Sequence, residues 1–140
     1  MKIERVDPAD LDLATAVEAA AITRAQLTIE APNAIPPSAE GMLLQARYGF
    51  DDSPFDALWL VRSDAGELVG HASLEVSHWD NPTLAFVLCG VRPETLGTGV
   101  GTALLGAQVD AARELGRSSL LTFTRRDGHA AHFLAASGFA

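Results

Sequence analysis

The segment VRPETLGTGVGTALL, Val91–Leu105, sets Gly97, Gly99 and Gly101 at alternate positions between an apolar run and an apolar helical pattern. Glycine inside a helix costs about 1 kcal/mol relative to alanine, so three together need a reason. The chemistry on offer is anion binding. A strand ending in Val91 and a helix opening near Gly99 leave first-turn N–H groups without intrahelical partners, and the helix dipole favours negative charge there. Without Cβ atoms in the way, a diphosphate could reach those donors. The alternative is a glycine turn that lets strand and helix pack closely.

Two familiar phosphate loops do not fit. A P-loop needs a Lys-Ser or Lys-Thr pair after its last glycine, and here Thr102, Ala103 and Leu104 follow. A dinucleotide fingerprint needs a third glycine where Thr102 stands, and an acidic ribose partner that the next strand lacks.

Proton-transfer groups are sparse. His71 and Glu75 share one strand face and could act through water; His78, Asp80 and Tyr48 lie in or beside loops. Cys89, on an apolar strand, reads as a small buried hydrophobe rather than a nucleophile. Trp59 reads as core, and Trp79 could line a substrate pocket. His129 and His132 have a metal-compatible i, i+3 spacing, but no third ligand accompanies them, so no metal is expected.

The elements that must position these groups follow from periodicity. The 140 residues, 48% hydrophobic and 20% charged, suit one domain with a hydrophobic core. The spacing predicts a short strand in MKIERVDP, a helix over 10–27 with Leu13, Val17, Ala20 and Ala21 facing inward, and a proline-rich loop. A second helix is expected over 39–47. Three strands follow, DALWLVRS, ELVGHASLEVS and TLAFVLCGV, joined by short turns and therefore antiparallel. On the second of these, Leu68, Gly70, Ala72, Leu74 and Val76 fall on one face, and Val69, His71, Ser73 and Glu75 on the other. Val100, Leu104, Ala107, Ala111 and Leu115 make one face of the next helix, capped at Gly116. SSLLTFT must return parallel to the preceding strand, and a last helix covers 127–137. The fold class is α/β (α+β): a mixed sheet with an antiparallel meander, a βαβ crossover and helices on both faces.

Bulk properties limit the partners. A net charge of −8 argues against nucleic acid and suits a cationic small molecule. No apolar run is long enough to span a bilayer, and the N-terminus lacks a signal-peptide core. A single cysteine excludes an internal disulfide framework and fits the cytoplasm.

VRPETLGTGVGTALL resembles the coenzyme A loop of the GNAT acetyltransferase superfamily, V-x-P-x-x-[QR]-x-x-G-x-[GA]-x-x-L, through Val91, Pro93, Gly99, Gly101 and Leu104, with Leu96 at the [QR] position. DGHAAHFLAASGF is similar to the family's N-x-x-A-x-x-[FL]-Y-x-x-x-G-F through Ala130, Phe133, Gly138 and Phe139. The resemblance covers nearly the whole chain and implies a GNAT fold with acetyl-CoA, or another acyl-CoA, as cofactor. Its pyrophosphate would sit on Leu96, Gly97, Thr98, Gly99, Val100, Gly101 and Thr102. The pantetheine arm would run along Leu88, Cys89 and Val91, with Asp127 and His132 beside it.

The implied reaction is acetyl transfer to a primary amine of a small molecule or peptide. Glu75 and His71 are the candidate bases. The family's usual proton-donating tyrosine corresponds to Leu134, and the fourth strand carries no carboxylate. A catalytically silent GNAT-fold module is the alternative. GNAT domains continue past the Gly-Phe pair with two more strands. The chain is therefore expected to be a single domain over 1–140, incomplete at its C-terminus and completed by a homodimer or a second GNAT domain.

Overall fold

The structure is a computed structural model that describes residues 1–49 and 52–140. Its elements are β1 (Lys2–Val6), α1 (Leu13–Glu30), α2 (Ala39–Tyr48), β2 (Ala57–Arg62), β3 (Leu68–Glu75), β4 (Leu84–Val91), α3 (Val100–Glu114), β5 (Ser119–Leu121) and α4 (His129–Ala136). The strands lie side by side in chain order, antiparallel from β1 to β4 and parallel between β4 and β5. The mixed sheet and the crossover through α3 are thus as expected.

Helices cover both faces. On one, Ala19 and Ile22 of α1 pack on Leu60 and Leu68. On the other, Val100 and Leu104 of α3 join Val61, Ala72, Leu74 and Val87. Burying a leucine such as Leu104 contributes roughly 1.5–3 kcal/mol.

α1 departs from its expected face. It starts after Asp12, whose carboxylate accepts the Thr15 N–H at 2.8 Å, and it buries Ala16, Ala19, Ala20 and Ile22. Leu13 and Val17 are exposed. In a helix this rich in alanine, apolar residues occur all round, and the small ones lie closest to the sheet.

β3 also departs, at its start. Arg62 pairs with Leu68 and Val61 with Gly70, leaving Val69 as an extra residue. This bulge reverses the alternation, so Leu68 joins the α1 face rather than the Gly70 face. Arg92 closes the irregularity: its N–H donates to the Val69 carbonyl at 2.8 Å. Its Nε and Nη2 donate to the Leu68 carbonyl at 3.1 and 2.8 Å.

β5 is shorter than SSLLTFT. Only Ser119–Leu121 pair, opposite Leu84–Phe86. Leu120 packs on the core, whereas Phe123, beyond the strand, tilts its ring against Phe86 at 5.5 Å between centroids.

Candidate active site

Because β5 stops at Leu121, β4 has an open edge beyond Phe86. The Arg92–Val69 bond sets the phase of the β3–β4 ladder, so Phe86, Leu88 and Gly90 direct their peptide groups toward β3. Those of Cys89 and Val91 point the other way, where no strand lies among the described residues. Leu88 and Cys89 are exposed along this edge, while the Val91 side chain is buried and only its backbone is available.

Cys89 is therefore not the buried hydrophobe expected. Its surface opens on the gap, yet the rest of the residue is enclosed, and this desolvation pushes its thiol pKa up to about 12. Such a thiol is a poor nucleophile at neutral pH.

The glycine turn lies just past this edge. Gly97 and Gly99 have φ of 80° and 94°, a left-handed backbone that L side chains rarely adopt. A Cβ at either would meet nothing within 4 Å, so both face open space. Gly99 caps α3 without a side-chain bond. Among the described residues, the N–H groups of Gly99, Val100, Gly101 and Thr102 have no partner. Thr98 differs: its N–H and Oγ1 both donate to the Thr95 carbonyl, at 3.3 and 2.6 Å. Leu96 is likewise bonded through its N–H, to Pro93, and its side chain is exposed.

α4 reaches both neighbours of the gap. The Phe133 ring would stand 3.5 Å from a Cβ on Gly101, and Gly128 sits against the Glu30 carboxylate at the end of α1. Asp127 and His132 are exposed on this segment, and Leu134 is partly buried. Among the described residues, no group of three His, Cys, Asp or Glu could hold a metal.

His71 and Glu75 share the α1 side of β3, as expected, but they stand four positions apart along the strand, roughly 13 Å. The His71 imidazole lies against Gly90, with Nε2 3.5 Å from Thr23 Oγ1. Burial pushes its pKa down to about 4, so it is neutral and weakly basic at pH 7. Glu75 is buried, beside Gly49, and lines a cavity of about 380 Å³ with Trp79, Asp80, Leu84 and Phe86. His78 Nε2 stands 3.4 Å from Asp56 Oδ1, and Tyr48 is exposed. Trp59 is core. Residues 50 and 51, which follow α2 in the chain, lie outside the described residues.

Two residues escaped the sequence reading. Gln108 is fully buried in α3, and its Nε2 donates to the carbonyls of Ser73 and Leu88 at 2.9 and 2.8 Å. The signal was a glutamine four residues after Leu104, within the inward stripe. Arg117 donates to the carbonyls of Ser77 and Asn81 at 3.2 and 3.0 Å and so holds both ends of the turn that carries Trp79. Nothing local marked it.

A family model described as the acetyltransferase (GNAT) family matches residues 19–139. The chain belongs to the GNAT acetyltransferase family. No curated protein matches it in sequence. Among solved structures, a GCN5-related N-acetyltransferase from Sphaerobacter thermophilus superposes with a TM-score of 0.72 at 19% identity, over 97% of this chain and 42% of that one. A phosphinothricin acetyltransferase from Sinorhizobium meliloti, solved with acetyl-CoA, gives 0.70 at 20% identity, over 98% and 74%. Nourseothricin acetyltransferase gives 0.57 at 32% identity, over 65% and 54%. The chain thus spans about half the length of some of the GNAT structures it matches. No helix among the described residues is long and apolar enough to cross a membrane.

Proposed function

We propose that the chain is an acyl-CoA-dependent N-acyltransferase that acetylates a primary amine of a small molecule or peptide. The carrying observation is the set of unpartnered N–H groups at Gly99–Thr102, opening beside the unpaired edge of β4. Open space at Gly97 and Gly99 suits an approaching pyrophosphate. Family membership and the acetyl-CoA-bound relative support the same cofactor.

Bound acyl-CoA would supply an activated acyl group as its thioester. The chain's own part is to hold the pyrophosphate at α3 and present the Cys89 and Val91 peptide groups along the edge. Glu75 is the favoured proton acceptor, because His71 is too weak a base. Transfer forms an N–C bond and breaks a C–S bond. The ammonium gives one proton to solvent through Glu75, and a second proton leaves nitrogen for the departing thiolate. A second reading, a silent acyl-CoA-binding module, is favoured by Leu134, which cannot donate a proton.

Calorimetry with acetyl-CoA, followed by thiol release over a panel of amines, tests both readings. No heat at millimolar acetyl-CoA overturns them together, whereas binding without release favours the silent module. The open outer edge of β5, with Leu121 and Phe123 exposed, supports assembly with a second copy or domain. Light scattering tests that assembly.

A further inference from the structure

The β3 bulge is joined to the glycine turn by an unbroken run of hydrogen bonds. Leu68, fully buried at the bulge, has its N–H and its carbonyl both held by charged side chains. Its N–H donates to Glu18 Oε2 of α1 at 3.3 Å. Glu18 is itself fixed by Arg62, whose Nη1 and Nη2 donate to Oε2 and Oε1, both at 3.2 Å. The Leu68 carbonyl accepts Arg92 Nε and Nη2 at 3.1 and 2.8 Å, and the Arg92 N–H donates to the Val69 carbonyl at 2.8 Å. One arginine thus satisfies both carbonyls of the bulge, through a fork that lysine lacks. From Arg92 the bonds run forward. The Arg92 carbonyl accepts the Thr95 N–H and Oγ1, both at 2.9 Å. The Thr95 carbonyl accepts the Thr98 N–H and Oγ1 at 3.3 and 2.6 Å, and Gly99 follows directly.

We infer that Arg92 and Thr95 are positioning residues for acyl-CoA: anchored on the Leu68 carbonyl, they aim the free N–H groups of Gly99–Thr102 at the pyrophosphate. The inference rests on the acyl-CoA reading and adds the residues that set the loop without supplying its donors. Gly97 and Gly99 face open space, so side-chain packing does not fix the turn they sit in. The turn owes its direction to the bonds that precede it, where each step is made twice, by a backbone N–H and by a hydroxyl. α1 enters at both ends of the run. It touches the turn Pro93–Thr95, and through Glu18 it holds the Leu68 N–H. The cofactor loop is therefore referenced to α1 as well as to the sheet.

The test is calorimetry with acetyl-CoA on the intact chain and its variants, together with amide hydrogen exchange on the free chains. Arg92→Met should weaken acetyl-CoA binding at least about tenfold, and Arg92→Lys less, since one donor remains. Thr95→Val keeps the N–H and loses the hydroxyl, and should weaken binding about threefold. The two residues act through one run of bonds, so the double variant should bind little worse than Arg92→Met alone. Exchange at the Thr95 and Thr98 N–H groups should quicken at least about tenfold in Arg92→Met. Asp12→Ala, which removes the cap of α1, should lower the melting temperature and leave acetyl-CoA affinity unchanged. An arginine that merely filled the bulge would behave like Asp12→Ala. Unchanged affinity in Arg92→Lys and Thr95→Val therefore overturns the inference, as do losses that simply add in the double variant. If Arg92→Met does not fold, Arg92→Lys takes its place throughout. No acetyl-CoA heat from the parent chain overturns the acyl-CoA reading, and exchange at Thr95 and Thr98 then decides the anchor alone: faster rates uphold it, and unchanged rates overturn it.

Discussion

Gln108 Nε2 donates to the Leu88 carbonyl at 2.8 Å and so ties α3 to β4 where that strand has lost its β5 neighbour. The same nitrogen reaches the Ser73 carbonyl on β3 at 2.9 Å. A buried amide in an apolar stripe is costly unless satisfied, and here both contacts satisfy it. The consequence is mechanical. α3 carries the glycine donors and β4 carries the open edge, and Gln108 fixes their spacing.

Gln108→Leu should therefore lower stability by about 1–3 kcal/mol and weaken acetyl-CoA binding severalfold. Gln108→Glu should be worse, since a carboxylate would face two carbonyl oxygens. Thermal melts with and without acetyl-CoA check this. A leucine variant as stable as the parent, with unchanged affinity, would show that the brace is dispensable.

Gly99 and Gly101 should respond oppositely to alanine. Gly99 has φ of 94°, so Gly99→Ala strains the backbone by about 1 kcal/mol or more and places a methyl where the proposed pyrophosphate would approach. Gly101 lies inside α3, and its new Cβ would meet Phe133 at 3.5 Å, an ordinary contact. Gly101→Ala should hold or raise stability by up to about 1 kcal/mol. Urea melts separate the two, and calorimetry should find acetyl-CoA weakened at least about tenfold by Gly99→Ala.

These positions show what the sequence could and could not reveal. The glycine loop, the meander and the crossover were legible because they rest on local spacing and short connections. The Val69 bulge was not, because it depends on pairing with Arg62 and on the Arg92 guanidinium arriving from 24 residues away. The exposure of Cys89 depends on where β5 ends, which an apolar SSLLTFT does not mark. Trp79 was legible as a pocket residue. The brace from Arg117, 40 residues from Ser77, was visible only once folded.

Acid should expose the burial of His71. Its folded pKa of about 4 lies below its ordinary 6.5, so the unfolded chain binds more protons between those values. Stability is then fully present above pH 6.5 and is lost as pH falls toward 4. From pH 7 to pH 5 the loss should be about 2 kcal/mol. The lowered carboxyl pKa values of Asp12 and Glu18 act below this window, where protonation removes their bonds to the Thr15 N–H and Arg62. His71→Phe cannot titrate and should flatten the slope between pH 7 and pH 5, whatever its absolute stability. An unchanged slope in denaturant melts would assign the acid loss elsewhere.

Cys89 offers a probe of the gap itself. It is exposed, yet a thiol with a pKa near 12 is almost wholly protonated at pH 8. Alkylation by iodoacetamide in the folded chain should therefore run on the order of 10²–10³ times slower than for a free cysteine. In urea the rate should recover, because unfolding returns water to the thiolate. Acetyl-CoA should slow the folded reaction further if its pantetheine lies along the β4 edge, whereas acetate at the same concentration should not. Labelling as fast as a free thiol would mean that the gap is well hydrated. A rate indifferent to saturating acetyl-CoA would place the cofactor away from Cys89.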